Sequence, residues 1–207
     1  MALEALSKKT PSEICADLGG FAQRYVRDWD QWLAAEFAAR PHLLGVTLRR
    51  WQATRPRAMR RLQSEARHPA PCLDDLVAVA RPHLATLQVL ELVWIRNRGA
   101  LEDSALVKLW KIFETLPISG TASRVGITKA IRLLTEGRVG PALDSQVRKH
   151  LSIKPAATAA AWIALLELVA DDIAGFESRH GPLSQVVPPR FRAISYGRLY
   201  DMVRGPR

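Results

Sequence analysis

Cysteine is nearly missing from this chain of 207 residues, which carries only Cys15 and Cys72. Neither has Cys or His neighbours at metal-ligand spacing, so a zinc finger is excluded, as is an iron–sulfur cluster held by four thiolates of one chain. His150 and His180 also lack ligand-spaced partners, and no Ser-His-Asp set assembles around them. The sequence therefore implies no metal and no cofactor. Long hydrophobic runs are absent too. No apolar stretch reaches the ~18–20 residues that span a bilayer, and the first twenty residues lack the apolar core of a signal peptide. The expectation is a cytoplasmic protein without a membrane partner. Abundant Ala and Arg point to a bacterial source with a GC-rich genome. Acidic residues are also in short supply: thirty Lys and Arg against twenty Asp and Glu leave a formal charge of +10. Such an excess suits a polyanionic partner, with nucleic acid ahead of an anionic membrane surface.

Alternating polar and apolar residues are scarce as well, whereas apolar residues recur at three and four along most of the chain. The expected fold is all-α and two-lobed, with a basic cleft between the lobes and a lobe boundary near residues 66–72. Apolar residues make up 48% of the chain, enough to fill the core of a single globular unit over residues 1–207. Pro11-Ser12-Glu13 opens a helix that breaks near Gly19-Gly20 and continues to Arg40, where Pro41 stops it. Phe21, Tyr25, Trp29, Leu33 and Phe37 share one face of it, and that stripe reads as core. Arg49, Arg50, Arg55, Arg57, Arg60 and Arg61 then crowd around Trp51. They form either a set of phosphate contacts or a solvated face, and Pro56 leaves their geometry open. Helices are expected over Leu73–Ile95, with Pro82 kinking or restarting it, and over Leu101–Leu116. Between them lies the polar turn Arg96-Asn97-Arg98-Gly99-Ala100. After the loop Glu136–Pro141 come a helix beginning at Asp144, a long apolar helix ending at His180, and a short last helix over 192–203.

The chemistry concentrates in residues 104–151. Arg124-Val125-Gly126 begins a helix whose first N–H groups lack helical partners, and Gly126 removes a side chain that would block an approaching phosphate. Thr128 and Lys129 add a hydroxyl and a charge to the same turn, and Arg148 follows in the next helix. Asp144 precedes Ser145-Gln146-Val147, where it serves at least as an N-cap.

The stretches VGITKA (Val125–Ala130) and PALDSQVRKHL (Pro141–Leu151) resemble the helix-hairpin-helix DNA glycosylases, whose members carry a V-G-x-x-x-A hairpin ahead of a P-x-x-D-x-x-V segment. The resemblance implies that Gly126 and its neighbours grip a DNA phosphate and that Asp144 is the catalytic carboxylate. One anion suffices for such chemistry, because breaking an N-glycosidic bond builds positive charge on the sugar. The partner it implies is double-stranded DNA containing a damaged or modified base, bound by a monomer. The sequence departs from the family pattern in three places. The Leu-Pro-Gly entry to the hairpin is replaced by Ala122-Ser123-Arg124, and the cysteine quartet is missing. Thr128 also stands where bifunctional members carry a nucleophilic lysine. Lys129 is one position further on, a rotation of about 100° around the helix, which predicts that it misses the sugar. The expected enzyme is therefore monofunctional: water releases the base and leaves an abasic site. Arg96, Asn97 and Arg98 are candidates for DNA contacts or a wedge, and Trp94, Trp110 and Tyr196, with Trp162 and Tyr200, for the walls of a base pocket. The rival readings are a non-catalytic helical DNA-binding protein, in which Asp144 is only a cap, and a scaffold or antitoxin-like partner.

Overall fold

The structure is a computed structural model that describes residues 3–51, 53, 73–116 and 124–205. All regular structure among these residues is helical, with no strand. The α-helices are α1 (Pro11–Gly20), α2 (Gln23–Ala34), α3 (Arg40–Arg50), α4 (Asp74–Thr86), α5 (Ala100–Glu114), α6 (Arg124–Leu134), α7 (Ser145–Leu151), α8 (Ala159–His180), α9 (Leu183–Val186) and α10 (Tyr196–Arg204). Short 3-10 turns cover Phe37–Ala39, Leu92–Asn97 and Pro189–Phe191.

Local sequence accounts for many of these boundaries. Thr10 caps α1 in a reciprocal box: its hydroxyl accepts from the Glu13 amide, the Glu13 carboxylate accepts from the Thr10 amide, and Pro11 takes the first helical position. Thr158 caps α8 through the Ala161 amide, and Gly181 leaves that helix at φ 81°, a conformation glycine adopts without strain. Three expectations are corrected. Pro41 starts α3 rather than stopping a helix, since in the first turn its missing N–H costs nothing. The Leu73–Ile95 helix ends at Thr86 and gives way to the turn at Leu92–Asn97, while Pro82 is accommodated inside α4. The aromatic stripe is core only in part. The chain leaves the helical path at Phe21, so Phe21 and Trp29 are buried, Tyr25 is half-buried, and Leu33 and Phe37 face water.

One apolar core runs from Leu3 to Val203. At its centre is α6, buried at every position from Gly126 to Leu134 and packed between α3 and α5. On one flank α8 packs against α5 and the Leu92–Asn97 turn, and α10 packs against α1 and α7. The N-terminal strap is anchored on Asp172 of α8. Its buried carboxylate accepts the amides of Ala5, Leu6 and Ser7 at 2.7–3.1 Å and the Tyr200 hydroxyl at 2.8 Å.

Candidate functional site

Lys129 and Arg132 are three residues apart on α6, so they share a helix face. That face turns toward Trp51 at the end of α3 and toward the loop that delivers Asp144. The Lys129 ammonium donates to the Trp51 carbonyl at 3.0 Å and lies 3.9 Å from Asp144 Oδ2. Asp144 Oδ1 meanwhile accepts the amides of Gln146 at 2.9 Å and Val147 at 3.1 Å, capping α7. The acid thus has one oxygen fixed by backbone amides and the other turned toward the amine. Its side chain keeps 19% exposure, so it is neither walled in nor fully solvated.

Behind this pair, Arg132 and Arg198 share one oxygen of Asp201. Arg198 also donates to the Tyr25 carbonyl at 3.1 Å, and its guanidinium stacks at 4.9 Å over both Phe21 and Trp29. Arg132 lies 4.7 Å from the Trp51 ring centre. Phe21, Tyr25, Trp51 and Ala142 wall a narrow crevice in which Lys129, Arg132 and Arg198 face two carboxylates, Asp144 and Asp201. The crevice keeps a net positive charge when all five groups are ionised. Burial pushes the Lys129 ammonium below the ordinary lysine value; the Asp144 charge works in the opposite direction, and Arg132 adds to the depression. Burial, then the charge of Arg132, pulls Arg198 down to about 9 against the opposing pull of Asp201.

A second cavity, of about 440 Å³, opens beside the crevice and shares Tyr25 and Trp51 with it. Its remaining wall consists of Arg24, Arg27, Asp28 and Gln31 of α2 and Arg50 of α3. Asp28 fixes the shared aromatic, accepting the Trp51 indole N–H at 2.6 Å with one oxygen and pairing with Arg50 through the other.

Several predicted site residues are placed differently from expectation. Gly126, Thr128 and Lys129 are buried, because α6 is the central helix and only Arg124 at its start is fully exposed, with Val125 half-buried. Thr128 turns its hydroxyl back to the Val125 carbonyl at 3.1 Å. Lys129 does not turn away from the acid. Arg148 is half-buried and donates to the Asp144 carbonyl at 3.2 Å. Arg49 is exposed at the end of α3, and Arg55, Arg57, Arg60 and Arg61 lie outside the described residues. Arg96 and Arg98 are occupied by carboxylates: Arg96 by Asp171 and Glu167, Arg98 by Glu167 and Asp103. Asn97 beside them is exposed. The predicted pocket walls also lie elsewhere. Trp110 is core, its ring 5.7 Å from that of Trp162 and its N–H donated to Glu114. Trp94 is exposed on its turn. Tyr196 donates to Glu177, and burial with that carboxylate pushes its hydroxyl up to about 12. Tyr200 is buried against Asp172. The aromatics beside Asp144 are instead Phe21, Tyr25 and Trp51.

Among the described residues no group of His, Cys, Asp and Glu is arranged to hold a metal ion, and no helix is long and apolar enough to cross a membrane. No protein-family model, no curated protein and no solved structure matches this chain.

Proposed function

We propose that the protein is a DNA N-glycosylase that releases a damaged or modified base and leaves an abasic site. The observation that carries this reading is the partly exposed Asp144 carboxylate, clamped by two amides at the start of α7, with the buried Lys129 amine 3.9 Å away in a positively charged crevice. In such a site the C1′–N bond breaks, its electron pair leaves with the base, and Asp144 stabilises the cationic sugar as water forms the new C1′–O bond and its released proton is taken up by the departing base. The net positive surroundings hold the polyanionic strand, and a monomer acting on double-stranded DNA in a bacterial cytoplasm is the setting we propose. The two-lobed arrangement with DNA in a basic cleft belongs to the same proposal. A duplex buries its base, so the nucleotide must be extruded to reach the crevice.

The position of Lys129 favours a second route to the same bond cleavage. A lysine whose charge is disfavoured by burial supplies a larger share of neutral amine, which attacks C1′ in place of water: the base leaves with the C1′–N electron pair and takes the amine's proton, and opening of the sugar ring leaves a C1′=N Schiff base to the lysine. The two routes give different products.

The test is a panel of duplexes, each with one altered base, incubated with the protein and then treated with alkali. Strand breaks are expected with the wild type and are expected to fall at least a hundredfold with Asp144→Asn. Asn still caps a helix, so this variant removes the charge and leaves α7 in place, whereas Asp144→Ala also loses a cap of about 1 kcal/mol. Breaks that need alkali support water. Breaks without alkali, with borohydride trapping abolished by Lys129→Gln, support the amine. DNA binding with no breaks on any duplex would leave the non-catalytic DNA-binding reading.

A further inference from the structure

We infer that the cavity of about 440 Å³ between α2 and the end of α3 receives the extruded base, and that its charge selects a neutral or anionic base with an acceptor-rich edge while rejecting cationic, N-alkylated purines. This inference rests on the glycosylase reading of the neighbouring crevice. The two spaces share Tyr25 and Trp51, so the larger cavity lies on the other side of the same pair of rings from Asp144, where a base extruded toward that carboxylate would be placed. The rings meet edge to face at 6.0 Å, an aromatic corner in which Trp51 is buried and the Arg24 guanidinium lies 4.7 Å over the half-buried Tyr25 ring. Asp28 holds the Trp51 ring through its indole N–H at 2.6 Å, while the Trp51 backbone carbonyl separately accepts the Lys129 ammonium.

The donor inventory of the wall is lopsided. Three guanidinium groups face one carboxylate: Arg50 is paired with Asp28, which also holds Trp51, Arg24 donates to the Tyr25 hydroxyl at 3.2 Å, and Arg27 adds a third cation. Gln31 supplies the one adaptable amide. Arginine forks match paired acceptors on a base edge, and a cationic base entering the cavity meets a wall whose three guanidinium groups outnumber its one carboxylate. The volume lies within the range of small-ligand pockets and leaves room for a substituent on the ring.

The experiment measures single-turnover base release from duplexes carrying uracil, 5-carboxycytosine, an oxidised guanine or 7-methylguanine, for the wild type and for Arg27→Ala and Gln31→Ala. Binding to a duplex with a tetrahydrofuran abasic analogue is measured in parallel, since that ligand has no base to place in the cavity. The expected result is release of at least one oxygen-bearing base more than tenfold faster than 7-methylguanine. Each variant should slow that release at least tenfold and change analogue binding less than twofold. Equal or faster release of 7-methylguanine overturns the charge selection. Variants that leave release unchanged, or weaken analogue binding as much as release, overturn the cavity assignment, while in each of these cases the glycosylase reading stands. No release from any duplex removes both.

Discussion

At the residue scale, the group with the most to say is Lys129. Its ammonium is held by one carbonyl and one acid 3.9 Å away, and burial outweighs that help, leaving its folded value below the ordinary 10.5. For a cation with a depressed folded value, the cost to stability is fully present at pH below that value, where both folded and unfolded chains are charged. The cost fades as pH rises from the folded value toward the unfolded one. Lys129→Met is therefore expected to be more stable than the wild type at pH 7, by a few degrees in thermal midpoint. The gap should narrow as pH rises past the folded value toward the ordinary lysine value, which unfolding followed across the alkaline range reads. A gap that widens with pH would mean that the charge is welcomed where it sits. In the proposed amine route the same depression would raise the share of neutral Lys129 available at neutral pH.

Helix faces and close backbone approaches govern the next scale. The end of α10 that abuts the Glu136–Pro141 loop is positioned by contact between glycines. A Cβ on Gly197 would stand 2.6 Å from the backbone carbon of Gly140, and no flexible side chain is there to yield. Gly197→Ala is expected to destabilise the protein by about 1–3 kcal/mol in urea unfolding, with a loss of base release beyond what the unfolded fraction explains. The reason is that the Gly140 loop delivers Asp144 and α10 carries Arg198 and Asp201. The α6 face shows why some of this was hidden in the sequence. The motif places Thr128, not Lys129, at the nucleophile's position, but a helix turns its residues according to what packs around it. With Ile127, Ala130, Ile131 and Leu134 in the core, Lys129 and Arg132 are directed together at Trp51. The Asp144 cap, in contrast, was legible, because an aspartate before Ser-Gln-Val is a local signal and the amide bonds it predicts are made.

At the scale of the whole molecule, the +10 charge is a sum over the chain and singles out no face. Periodicity gave away the helical class, and the order of the last helices, because those signals are local. The crevice brings Tyr25, Trp51, Lys129, Asp144 and Arg198 together from five stretches of chain, and no sequence spacing encodes that meeting. Arg132 and Arg198 are legible only as basic residues until Asp201 is seen between them. The turn arginines illustrate the reverse error. Arg96 and Arg98 look free in sequence, yet Glu167 and Asp171 reach them from α8, more than sixty positions away. This difference gives a salt-dependence test. An arginine that contacts a phosphate releases a counterion, so its removal should flatten the plot of log affinity against log salt by about one unit of slope. Arg124, exposed at the start of α6, is expected to behave this way when changed to Ala in titrations between roughly 50 and 300 mM salt, the range over which phosphate contacts are resolved. Arg96→Ala should leave the slope unchanged, because its guanidinium already has two carboxylate partners. If Arg96→Ala flattens the slope and Arg124→Ala does not, the strand runs along the α8 side, away from Asp144, and the carboxylate has no sugar to act on.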